Sequence, residues 1–132
     1  MASSSQGERD PIRVLLAEDD RSVAQMYKLK LELDGCRVDV ASDGETAVQM
    51  ATRELPDIMF LDIRLPKLDG IGVLQALRAD PRTKGLRVVI LSNYSRRELG
   101  DRAAKLGVLD HLIKTETTPA KLTAGLERWL KA

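Results

Sequence analysis

A single cysteine, Cys36, is all the thiol chemistry this chain contains. One cysteine excludes a disulfide framework and any multi-cysteine zinc site, and it favours a reducing, cytoplasmic compartment. Long apolar runs are missing as well: none approaches the roughly 18–20 residues that cross a bilayer, so no membrane contact is expected. The first ten residues, MASSSQGERD, are small and polar and hold no signal-peptide core. With Pro11 they are expected to form a flexible tail over residues 1–11. An excess of one charge is also lacking, because 21 basic residues face 20 acidic ones. That balance argues against a nucleic-acid binder working by bulk positive field, and no direct nucleic-acid contact is expected.

What the chain does have is enough apolar material for a core, at 43% hydrophobic residues over 132 positions. Residues 12–132 carry no linker, repeat or low-complexity stretch, which predicts one domain there. Short apolar runs alternate with longer segments of helical spacing. The runs are Val14–Ala17, Ile58–Leu61, Val88–Leu91 and Leu109–Ile113, with Cys36, Val38 and Val40 as an alternating fifth. Cys36 is expected to serve as a small core residue. Continuously apolar strands are covered on both faces, as in a parallel sheet between helix layers.

The segments between them are punctuated as helices. Val23, Tyr27 and Leu31 recur at i, i+4, i+8 before Gly35, and Ala47, Met50 and Ala51 precede Pro56. Val73, Leu74 and Leu77 end at Asp80-Pro81, and Leu99, Ala103 and Leu106 predict a fourth helix stopped at Gly107. Thr118 and Pro119 open a fifth, which buries Leu122, Leu126, Trp129 and Leu130. The expected fold is α/β, a doubly wound five-stranded parallel sheet with helices on both faces. Its site is expected beyond the carboxyl ends of the strands.

The polar residues at those ends form a pattern. The first strand runs into Glu18-Asp19-Asp20, the third into Asp62, the fourth into Ser92, and the fifth ends on Lys114. Converging carboxylates repel one another and need a compensating cation. Hard oxygen ligands suit Mg²⁺, which takes one or two carboxylates together with waters and a phosphate. A carboxylate is also a nucleophile toward a phosphoryl group, and a lysine and a hydroxyl can hold the transferred oxygens.

On these residues the chain resembles the response-regulator receiver domain of two-component signalling. The stretch from Pro56 to Gly70, PDIMFLDIRLPKLDG, is similar to the family's phosphorylation segment, and the separations from Asp62 to Ser92 and Lys114 also agree. The resemblance covers essentially all of residues 12–132 and implies a flavodoxin-like strand order 2-1-3-4-5. It implies Asp62 as phospho-acceptor and Glu18, Asp19, Asp62 and the backbone carbonyl of Arg64 as Mg²⁺ ligands. Ser92 and Lys114 are the implied phosphoryl-contacting switch residues. Asp19-Asp20 is the competing acidic pair. Glu18-Asp19 is preferred because the family's pair follows the strand directly, which leaves Asp20 to cap the first helix.

The implied partners are a sensor histidine kinase or a histidine phosphotransfer protein, and a target docking on the fourth helix, fifth strand and fifth helix. A monomer or weak homodimer is expected, either standing alone or as one domain of a longer protein. Two positions depart from the family pattern. Thr115 stands where proline, often cis, is usual, so the Thr115–Thr117 loop is expected to run differently or carry strain. His111 stands where an aromatic switch residue is frequent, and it is the third switch candidate. Two other readings compete: a receiver-like interaction module that is never phosphorylated, and an aspartyl-nucleophile phosphatase of the haloacid dehalogenase type. The second lacks its general acid, because Arg64 occupies that position.

Overall fold

The computed structural model describes residues 10–99 and 101–132. Most of the expected tail, residues 1–9, lies outside the described residues, while Asp10 and Pro11 are exposed and belong to no helix or strand. The strands are β1 (Arg13–Ala17), β2 (Arg37–Ala41), β3 (Ile58–Leu61), β4 (Val88–Ser92) and β5 (Asp110–Ile113). The helices are α1 (Arg21–Leu33), α2 (Gly44–Glu54), α3 (Gly70–Ala79), α4 (Arg96–Leu99), α5 (Arg102–Lys105) and α6 (Pro119–Leu130). All strand pairs are parallel, in the order β2-β1-β3-β4-β5. This is the expected doubly wound α/β sheet.

The continuous apolar runs are explained by the pleat, which sends successive side chains to opposite faces. Leu15, Ala17, Met59, Leu61 and Ile90 enter one layer with Ala47 and Ala51 of α2, Leu74 and Leu77 of α3 and Ala103 of α5. Val14, Leu16, Phe60, Val89 and Leu91 enter the other with Tyr27 and Leu31 of α1 and Leu122 and Trp129 of α6. Trp129 is 3% exposed and meets Phe60 edge to face, with ring centroids 5.6 Å apart. Its role is packing. Cys36 is buried in the same layer, and burial pushes its thiol pKa up, with Asp34 adding to the effect.

Helix starts follow short polar side chains. Asp20, Asp43, Asp69 and Thr118 accept hydrogen bonds from the amides of Val23, Thr46, Gly72 and Lys121 at 2.7–3.2 Å. Gly35, past the end of α1, has φ of 94°, as its position implied. The expected fourth helix is corrected: it is present as two four-residue segments, α4 and α5. Gly100 and Asp101 stand between them in the sequence, and both are poor helix formers. Ser95 and Glu98 supply a reciprocal capping box for α4, which the sequence reading missed.

Candidate functional site

In-register parallel pairing makes the residues that follow each strand neighbours. Ala17 is paired with Leu61 and Ser92 with Ile113, so Glu18, Asp62, Ser92 and Lys114 leave the sheet at one edge. The chain is held there by the amide of Glu18 donating to Ala41 O at 2.9 Å and that of Asp62 donating to Ala17 O at 3.0 Å. The result is a cleft of about 420 Å³ whose lining includes Glu18, Asp19, Asp62, Arg64, Ser92 and Lys114.

Glu18 and Asp62 are buried, at 3% and 5% exposure, while Asp19 is exposed. Buried carboxylates require a partner. Lys114 Nζ donates to Asp62 Oδ2 at 2.6 Å and lies 2.7 Å from Glu18 Oε1, so the two carboxylates share one ammonium. Burial is the largest influence on Lys114 and favours its neutral form. Its hydrogen bonds and charge attraction to Asp62 and Glu18 together outweigh burial and leave its pKa raised. Burial also dominates at Glu18 and raises its pKa, against the lowering effect of Lys114 and the Asp20 amide.

Oxygens of Glu18, Asp19 and Asp62 lie within 4.8 Å of one another, an all-carboxylate set that fits a hard divalent cation such as Mg²⁺. Asp20, the competing candidate, is turned to cap α1, and its own amide donates to Glu18 Oε2 at 2.9 Å.

The loop after Asp62 is shaped by close backbone approach. Gly70 N donates to Ile63 O at 2.7 Å, and a Cβ on Gly70 would lie 2.5 Å from Asp62 O. Gly44, at the start of α2, donates to Pro66 O at 3.1 Å, and a Cβ there would overlap the Leu68 carbonyl. Two glycines therefore let the loop fold back beneath the acidic residues.

The sequence profile described as "Response regulator receiver domain" matches residues 14–127. The chain belongs to the response-regulator receiver family. The response regulator PleD of Caulobacter vibrioides is 38% identical over 104 residues, which are 77% of this chain and 22% of PleD. RpaA of Synechocystis, named as a DNA-binding dual master transcriptional regulator, is 33% identical over 119 residues, 88% of this chain and 49% of RpaA. The receiver chain thus spans half or less of these curated relatives. Among solved structures, the receiver domain of sensor histidine kinase PA1611 from Pseudomonas aeruginosa superposes with a TM-score of 0.82 at 30% identity. The match covers 93% of this chain and 100% of that one, which is described with magnesium coordinated in its active-site cleft. Receiver domains act as phosphorylation-dependent switches and not as enzymes that turn over an external substrate. Among the described residues no helix is long and apolar enough to cross a membrane.

Of the switch candidates, Ser92 lines the receiver cleft, and its Oγ accepts from the Tyr94 amide at 3.3 Å. His111 is not part of the lining. It reaches the cleft indirectly, with Nε2 donating to Tyr94 O at 2.6 Å. Tyr94 itself was missed in the sequence reading. Its hydroxyl accepts from Arg64 at 3.1 Å, and the Arg64 guanidinium lies 5.6 Å from its ring centroid. No local sequence signal marks the Tyr94 contacts with His111 and Arg64, which lie 17 and 30 positions away.

The departure at Thr115 has a structural counterpart. Among the described residues there is no cis peptide, and Lys114–Glu116 forms a single 3₁₀ turn. Tyr27, a core residue of α1, donates its hydroxyl to Thr117 O at 2.6 Å, and Thr117 Oγ1 donates to Ile113 O at 2.8 Å. The loop is thereby tied to α1 without proline.

Burial holds the Tyr27 hydroxyl pKa above its ordinary value. The neutral form therefore favours the fold: this contribution is complete below about pH 10 and is lost as the pH climbs through the folded-state value. Tyr27→Phe leaves the Thr117 carbonyl without its partner and is expected to cost about 1–3 kcal/mol at neutral pH. The alkaline fall in stability should become shallower, though not vanish, because Lys114 titrates in the same direction. Urea unfolding at neutral and alkaline pH checks this, and parallel curves for the two proteins would refute the assignment.

Proposed function

We propose that this receiver domain accepts a phosphoryl group on Asp62 and converts it into a change of partner-binding surface. The observation that carries the proposal is the buried Asp62 carboxylate, bonded to Lys114 at 2.6 Å and clustered with Glu18 and Asp19. An Asp62 oxygen forms the new P–O bond as the P–N bond of a donor phosphohistidine breaks, and the departing imidazole nitrogen keeps the electron pair and takes up a proton. Glu18, Asp19, Asp62 and the Arg64 backbone carbonyl would hold Mg²⁺, which when bound neutralises charge on the transferring oxygens. Lys114 pairs with a phosphoryl oxygen, and the Ser92 hydroxyl donates to another.

The donor is a sensor histidine kinase or histidine phosphotransfer protein, and the setting is cytoplasmic. The output in this reading is protein contact through α4, α5, β5 and α6. That surface suits switching. In α4 and α5 the only fully buried apolar side chain among the described residues is Ala103, so little packing free energy resists rearrangement. When Ser92 turns to the phosphoryl group, its bond to the Tyr94 amide is given up, and Tyr94 is the residue that His111 and Arg64 also grip. The phosphorylated form then shifts the population of this loop.

Beryllofluoride with Mg²⁺, which mimics an acyl phosphate, is expected to move the amide NMR signals of Ser92, Tyr94 and His111. Ser92→Ala should still bind the mimic, with the His111 response greatly reduced. Silence at all three positions in the wild-type chain would instead favour a docking module that is never phosphorylated.

A further inference from the structure

At the opposite end of the sheet from the acidic cleft, the segments entering β4 and β5 border a second cavity of about 480 Å³. The charged side chains lining it are all cationic, Arg78, Lys84, Arg87 and Lys105, and the one anionic group of the lining is the terminal carboxylate of Ala132, which pairs with none of them within 4.0 Å. Leu86 and Leu109 supply apolar wall, and Leu109 is 37% exposed.

Arg78 is committed to structure. Its guanidinium donates to the carbonyl oxygens of Leu106 at 2.7 Å, Leu86 at 2.8 Å and Lys84 at 3.0 Å, and more weakly to those of Thr83 and Gly107. These bonds absorb the carbonyl dipoles that would otherwise oppose an anion here. The nearby acids are also engaged: Asp80 pairs with Arg82 at 2.8 Å, and Asp110 accepts from Trp129 at 3.1 Å and Arg128 at 3.4 Å. Among the described residues no carboxylate lies within 4.0 Å of Lys84, Arg87 or Lys105. Arg87 also has a buried Nε with no hydrogen-bond partner, a donor that the cavity reaches only if the side chain shifts. A buried donor left unmet is costly, and a native chain that keeps one invites an explanation.

We propose that this cavity binds an organic phosphate, a ligand with two or more negative charges on an apolar or planar body. Three cations without acidic partners answer more charge than a single carboxylate brings, and the guanidinium fork matches phosphate oxygens. The leucine walls call for a body beyond the phosphate itself. The volume falls in the roughly 300–1,000 Å³ range of small-molecule sites. A nucleic-acid strand would call for an extended basic face, which a chain of net charge +1 with a leucine-walled cavity does not offer.

The test is titration of the full chain with ADP in the presence of EDTA, followed by ¹⁵N NMR. The Arg87 Nε–H signal and the amides of residues 84–87 and 105–109 are expected to move, while those of Glu18, Asp62 and Ser92 stay. Adenosine, with no charge, should bind at least about tenfold more weakly, and pyrophosphate should move the same signals with lower affinity than ADP. Arg87→Gln and, separately, Lys105→Gln should each weaken ADP binding by about tenfold, the loss of one charge-assisted contact. Lys105 is exposed, so its variant keeps the test valid if Arg87→Gln fails to fold. The proposal is overturned if millimolar ADP moves none of these signals, if adenosine binds as tightly as ADP, or if both variants bind like the wild type.

Discussion

Incubated with acetyl phosphate and Mg²⁺, the Asp62→Asn chain is expected to gain no phosphoryl mass, while the wild-type chain gains one group. Asparagine keeps the shape of the side chain but has no anionic oxygen to form the acyl phosphate. The substitution also removes one of the two negative charges facing Lys114, which retains Glu18 at 2.7 Å, so the ammonium is not left buried without a charged partner. Loss of labelling should therefore come without loss of the fold, which circular dichroism can verify on the same sample. Asp57→Asn provides the contrast. Asp57 is exposed just before β3, where its carboxylate accepts from the Arg13 amide, and it lies at the other end of that strand. Intact-mass spectrometry should find that variant labelled like the wild type. Equal, Mg²⁺-dependent labelling of Asp62→Asn would remove Asp62 from the chemistry.

Among the described glycines, Gly44→Ala is expected to produce the largest stability loss. The obstacle is the Leu68 carbonyl, a backbone atom that cannot rotate away as a side-chain tip can. Overpacking of this kind costs typically about 1–3 kcal/mol, and a backbone obstacle places this case at or above about 3. For a domain of this size that corresponds to a fall in Tm of roughly 10 °C. Since Leu68 belongs to the loop between Asp62 and Gly70, acetyl phosphate labelling should fall too. Gly85→Ala is the control: a Cβ there meets nothing within 4 Å, and the backbone is not in the left-handed region. It should be neutral or stabilising by up to about 1 kcal/mol. Equal melting temperatures for the two variants would mean that the loop yields freely and that Gly44 is not a constraint.

Much of this receiver was legible in the chain because its signals are local. The buried strands announce themselves as unbroken apolar runs, and the caps Asp20 and Thr118 stand directly before the helices they start. The acidic residues, Ser92 and Lys114 each sit immediately after an apolar run, or at its end, so parallel topology alone brings them to one edge. The fourth helix was over-read, since the spacing of Leu99, Ala103 and Leu106 is helical while Gly100-Asp101 works against it.

The cleft residues thus followed from order along the chain and from the rule that parallel strands end on one side. Only the tertiary structure decided how they are electrically balanced and connected. That Lys114 bridges two carboxylates, that Tyr27 ties the proline-less loop to α1, and that His111 holds Tyr94 rather than lining the cleft all depend on pairs about 17 to 96 positions apart. Such pairs leave no periodicity or spacing to read, because distance in the chain sets no angle or contact in space. They exist only once the sheet has closed and the side chains have met.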